Sequence, residues 1–111
     1  MRILLIEDSQ ILTVLLKHEA KTLKTNLVCV DSFVDAINEL KNNFFNVIIL
    51  DNHLEKENLC GTDIAKTLKE HSSAKIILSS ADNCIVSNKW IDEIIPKVHL
   101  KLIDIIKIKG E

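Results

Sequence analysis

Five residues of this 111-residue chain are of types that could do chemistry together: Glu7, Asp8, Asp51, Ser79 or Ser80, and Lys97. Each stands at the carboxyl end of a short apolar run. The organising run is Asn46-Val47-Ile48-Ile49-Leu50-Asp51, β-branched residues and leucine that stop abruptly on an acid. Without polar alternation it reads as a strand buried on both faces, as in the middle of a parallel sheet. A carboxylate cannot stay unpaired inside such a strand. Asp51 is therefore expected at the carboxyl edge, where open α/β sheets place their ligands. Three carboxylates gathered there repel, each like-charge contact at about 4 Å costing roughly 4 kcal/mol at an effective dielectric near 20. A cation relieves this, and oxygen-only ligands suit Mg²⁺ with positions left for water and phosphate oxygens. A lysine and a hydroxyl beside it are the charge clamp and donor that a transferred phosphoryl group needs.

The elements that must position these residues follow from the hydrophobic pattern. Ile3-Leu4-Leu5-Ile6 is a first buried strand ending on Glu7-Asp8, and Asp8 or Ser9 can cap the helix after it. Ile11, Leu12, Leu15, Leu16, Glu19 and Leu23 follow at helical spacing, with Lys17, His18, Lys21 and Lys24 toward solvent. Leu27 to Val30 is a second strand, and Asp31 or Ser32 caps a helix with Phe33, Ala36, Ile37 and Leu40 inward. Beyond Asp51, residues 52–61 read as a polar loop, then a helix buries Ile64, Ala65 and Leu68. Lys75 to Ser79 is a fourth strand with Ser80-Ala81-Asp82 at its end. Asn83 to Trp90 supports one or two helical turns at most. Ile94-Ile95 marks a fifth strand running into Pro96-Lys97, and Leu100 to Ile108 reads as a closing helix. Alternating strands and helices imply right-handed crossovers and a doubly wound α/β fold with five parallel strands.

Composition narrows the classes. Apolar residues make up 47% and charged residues 27%, a globular balance large enough for a single domain over 1–111. A net charge of −2, with no basic patch or stacking aromatics, argues against a nucleic-acid surface. Cys29, Cys60 and Cys84 are odd in number and lack metal spacing, which suits reduced thiols in a cytoplasmic protein, Cys29 in the core. No apolar stretch reaches transmembrane length, and Glu7-Asp8 cut the first run too early for a signal peptide. Four histidines without ligand spacing speak against zinc.

An acid after a strand is often only a helix cap, and a lone lysine only a solvated one. Four strand ends that supply an acid pair, an acid, a hydroxyl and a lysine in that order are harder to reach by chance. The chain resembles a response-regulator receiver domain (CheY-like) over essentially its whole length. The likeness rests on Ile3 to Ser9, Val47 to Asp51 with Gly61 beyond, Ile76 to Ala81, and Ile94 to Lys97. It implies a flavodoxin-like (βα)5 fold and a phosphoacceptor in two-component signalling. Asp51 would accept a phosphoryl group from a phosphohistidine on a sensor histidine kinase or phosphotransfer protein. Asp8 and Asp51 would bind Mg²⁺ directly, Glu7 through water, and the backbone carbonyl of His53 would be the third protein ligand. Ser80 matches the switch hydroxyl, with Ser79 the fallback one position away, and Lys97 matches the lysine on the phosphoryl oxygens. The chain would catalyse only its own phosphoryl transfer and dephosphorylation, signalling to a downstream effector domain or protein without touching membrane or nucleic acid. The stretch from Ser80 to Lys97 is short for the family, which implies a shortened fourth helix, and Ile94 stands where an aromatic is usual. The rival reading is a degenerate, phosphorylation-independent interaction module. A small Mg²⁺-dependent phosphatase or nuclease would need a second catalytic acid near Asp51 or a longer chain.

Overall fold

Five apolar runs become five parallel strands, because strands buried on both faces need helices above and below them. A computed structural model describes residues 1–54, 59–80, 89–97 and 100–109, without the side chains of 53, 59, 80 and 106–109. In chain order the elements are β1 (Arg2–Ile6), α1 (Gln10–Thr22), β2 (Asn26–Val30), α2 (Phe33–Asn42), β3 (Val47–Asp51), β4 (His53–Leu54), β5 (Leu59–Cys60), α3 (Gly61–His71), β6 (Lys75–Ser80), β7 (Glu93–Pro96) and α4 (Leu102–Lys109). The main sheet runs β2-β1-β3-β6-β7, every pair parallel, so β3 is central. This is the doubly wound (βα)5 order expected of the sequence.

Strand alternation divides the core in two. Leu4, Ile6, Ile48, Leu50, Ile76 and Leu78 meet Ala36 and Leu40 of α2 and Ile64, Ala65 and Leu68 of α3. On the other face Ile3, Leu5, Val47, Ile49 and Ile77 meet Leu16 and Ala20 of α1 and Leu102 and Ile105 of α4. Ser9 and Ser32 are the helix caps, their hydroxyls accepting from Leu12 N at 3.4 Å and Asp35 N at 3.1 Å.

Three expectations are refined, and a fourth lies outside the described residues. Ile11 and Leu15 are exposed, at 77% and 61%, with Val14 beside them at 64%. The apolar stripe of α1 is wider than the arc the sheet can cover, and the sheet takes the Leu12–Leu16–Ala20–Leu23 side. Cys29 is half-buried rather than fully enclosed, because β2 is an edge strand. The loop after Asp51 contains an antiparallel ribbon, β4 with β5, that buries Leu54. The short helix expected between Asn83 and Trp90 falls mainly on residues 81–88, outside the described residues.

Two long-range contacts fix the ends of the sheet's last units. The Glu19 carboxylate of α1 accepts from Leu102 N at 2.8 Å and Ile103 N at 3.2 Å, capping α4 from another helix. Asp92 accepts from Ile76 N at 2.8 Å and ion-pairs Lys69 at 2.8 Å, which registers the start of β7 on β6 and α3.

Candidate functional site

The chemistry-bearing residues converge because parallel strands share one carboxyl edge. Glu7 prolongs β1 by one ladder bond, its N–H donating to Val30 O at 3.0 Å. Its side chain is then held back over the sheet, Oε2 accepting from Ser9 N at 3.1 Å. Asp51 closes the central strand and is 3% exposed, as is Glu7. Asp8 completes the group: one carboxylate oxygen from each of Glu7, Asp8 and Asp51 lies within 4.8 Å of the others. Lys97 follows β7 and spans two of the acids, its Nζ 3.0 Å from Glu7 Oε1 and 3.0 Å from Asp51 Oδ1.

Burial, reinforced by the neighbouring Asp51 carboxylate, pushes the Glu7 carboxyl up to about 7, although bonds from Lys97 and the Ser9 amide pull it down. Burial lowers the Lys97 ammonium, but its bonds to Glu7 and Asp51 outweigh that and hold it above the ordinary lysine value. Three carboxylates with one ammonium thus carry surplus negative charge in a largely dry place. Their oxygen-only donor set and crowding fit a hard divalent cation such as Mg²⁺. Two buried side-chain atoms near Asp51 have no hydrogen-bond partner, Asn52 Oδ1 and Ser79 Oγ.

Gly61 lets the edge close. Its N–H donates to Asn52 O at 2.8 Å, and a Cβ there would sit 2.7 Å from Leu78 Cδ1 and 2.8 Å from Asp51 O. Any side chain would lever the start of α3 off the strand that carries Asp51.

The fold therefore brings Glu7, Asp8, Asp51 and Lys97 together. Ser80 ends β6, paired in register with Pro96, and its side chain lies outside the described residues. His53 lies in β4, paired with Cys60, and its side chain is likewise outside them. Ile94 is half-buried against the first core layer. Sequence reasoning did not find the double ion pair of Lys97, since only the folded register sets its reach. Nor did it find a cavity of about 450 Å³ beside the acids, lined by Thr13, Lys17, Cys29 and Asp31 among others. No helix among the described residues is long and apolar enough to cross a membrane.

Residues 2–95 match the family described as "Cyclic-phosphate processing Receiver domain". No curated protein sequence matches the chain. Among solved structures, a response regulator from Burkholderia pseudomallei with a phosphorylated aspartic acid, calcium ion and citrate aligns at TM-score 0.83 and 17% identity. That alignment covers 97% of this chain and 65% of the other, so the chain spans somewhat less than two thirds of that regulator. A CheY-like receiver domain from Methylobacillus flagellatus aligns at 0.82 and 18% identity, covering 97% and 94%. The regulator TrrA from Thermotoga maritima, in complex with Mg²⁺ and BeF, aligns at 0.80 and 23% identity, covering 98% and 96%. With its strand order, its edge of acids and lysine, and a family match over nearly the whole sheet, the chain belongs to the CheY-like response-regulator receiver domains.

Proposed function

We propose that the chain is the phosphoacceptor of a two-component system, phosphorylated on Asp51 in a Mg²⁺-dependent reaction. The observation that carries this reading is the ammonium of Lys97 bonded at once to Glu7 and Asp51 beside Asp8. An Asp51 oxygen attacks phosphorus of a phosphohistidine on a sensor kinase or phosphotransfer protein. The phosphorus–nitrogen bond breaks and the electron pair leaves with the imidazole. The geometry of Lys97 suits it to follow the incoming group, exchanging its bond to Asp51 for one to a phosphoryl oxygen. In this reading a hydroxyl at the end of β6, Ser80 or its neighbour Ser79, the register partner of Asp51, donates to another. Glu7, Asp8, Asp51 and the His53 carbonyl would hold Mg²⁺, whose charge neutralises the phosphoryl oxygens when it is bound. Water later hydrolyses the acyl phosphate. The phosphorylated aspartic acid of the Burkholderia regulator and the Mg²⁺–BeF complex of TrrA support carrying this chemistry to Asp51.

Intact-protein mass tests it. With acetyl phosphate and Mg²⁺ the chain should gain one phosphoryl group, and none when Mg²⁺ is chelated. A chain that stays unlabelled while folded would favour the phosphorylation-independent interaction module.

The family description supports a second, narrower reading, in which the phosphorylated receiver governs a partner that makes or opens cyclic phosphates. Hydrolysis of cyclic mononucleotides by the purified chain would instead assign that chemistry to the chain itself.

A further inference from the structure

Among the described residues, three buried side-chain polar atoms lack a hydrogen-bond partner: Arg2 Nε, Asn52 Oδ1 and Ser79 Oγ. Arg2 opens β1, at the opposite edge of the sheet, and stacks on Phe45. Ser79 is the register partner of Asp51 and belongs to the phosphoryl reading above. Asn52 remains. It is 8% exposed, its N–H donates to Ser79 O at 2.9 Å, and its carbonyl accepts from Gly61 N at 2.8 Å. The backbone is thus pinned on both sides while the side-chain carbonyl stays idle. Strand alternation turns Asn52 to the face of Leu50, opposite to Asp51. Ile6 is the register partner of Leu50, and both lie in the core layer against α2 and α3. The bond from Glu7 N to Val30 O keeps β1 in line for one residue more. Two residues beyond Ile6 and Leu50, Asp8 and Asn52 therefore stand on the same side of the carboxyl edge, their backbones about 4.8 Å apart, one strand spacing.

An amide is an awkward filler for this position. A buried acceptor without a donor is unfavourable, and leucine, of nearly the same size, would fill the place without that penalty. A donor that arrives from outside the protein would resolve it. Asp8 belongs to the group of three carboxylates whose crowding fits a divalent cation. Mg²⁺ dehydrates reluctantly and keeps several waters when one or two carboxylates hold it. The ion polarises those waters into strong donors, and acceptors placed around them tighten its binding. We propose that Asn52 is an outer ligand of the cation, its Oδ1 accepting from a water of the Mg²⁺ shell. The residue adds no charge to the site and touches no reacting atom. It is a positioning residue, and it orders the shell from the side opposite to Asp51. This inference rests on the Mg²⁺ reading of the acids.

The test compares wild type, Asn52→Leu, Asn52→Asp and Asp8→Ala at pH 8, titrated with Mg²⁺ in a calorimeter, together with melting of each protein without metal. Asn52→Leu should melt at the wild-type temperature or higher, because an idle acceptor is gone, while its Mg²⁺ affinity falls about 3- to 10-fold, the factor of one net hydrogen bond. Asn52→Asp keeps the acceptor and should bind Mg²⁺ at least as tightly as wild type, although a further acid lowers its melting temperature without metal. Unchanged Mg²⁺ affinity in Asn52→Leu overturns the proposal, whatever its melting temperature. If that melting temperature also falls, Oδ1 serves a trapped water of the fold instead. Weaker Mg²⁺ binding in Asn52→Asp overturns it as well, and decides alone should Asn52→Leu fail to fold. If wild type binds no Mg²⁺, or Asp8→Ala binds it equally, the metal reading of the acids falls and this one with it.

Discussion

Lys97 and Asp51 are bonded side chain to side chain, Nζ to Oδ1 at 3.0 Å, from strands separated by β6. The same ammonium holds Glu7. Removing one partner of a buried pair leaves the others uncompensated, which typically costs about 3–5 kcal/mol. Lys97→Met should therefore be strongly destabilised at pH 8 without metal. At pH 5.5 the loss should be smaller, because Glu7 then carries a proton. Urea unfolding at the two pH values checks this, and equal losses would mean that the ion pairs do not act as one unit.

Glu7 sets a pH dependence of definite sign. Its folded-state pKa of about 7 lies above the ordinary value of 4.5, so the folded chain holds an extra proton between them. Stability from this group is full below pH 4.5 and falls as pH rises to about 7, by at most about 3 kcal/mol. Mg²⁺ competes with that proton, so its affinity should rise over the same window. Glu7→Gln should flatten the stability profile between pH 5 and 8 and raise stability at its upper end. A parallel profile in the variant would place the titrating group elsewhere.

Glu19 is expected to support α4 from outside that helix. Glu19→Ala removes an acceptor from Leu102 N and Ile103 N and a negative charge from the helix start. The expected cost is about 1 kcal/mol in urea unfolding. Glu19→Gln should recover part of it, since an amide oxygen still accepts. Identical stability in all three proteins would show that water caps α4 equally well.

Much of this architecture was legible because buried parallel strands write themselves as unbroken apolar runs. Ile3–Ile6, Val47–Leu50 and Ile76–Leu78 could hardly be anything else, and an acid or hydroxyl after each marks the working edge. Periodicity was weaker on α1. Ile11 and Leu15 fit a helical stripe as well as Leu16 does, and only the position of the sheet decides which side is covered. Glu19 sat among apolar positions as a visible anomaly, yet its partner lies 83 residues away at Leu102. The unpaired hydroxyl of Ser79 was invisible for a similar reason. Adjacent serines look alike in sequence, and only the register with Asp51 separates them.

The central claim is that Asp51 itself carries the phosphoryl group. Borohydride reduces an acyl phosphate of aspartate to homoserine, which marks the residue covalently for peptide sequencing by mass spectrometry. After acetyl phosphate and Mg²⁺, homoserine should appear at position 51 and nowhere else, and Asp51→Asn should give none. Homoserine at position 8, or label persisting in the Asp51→Asn variant, would contradict the account.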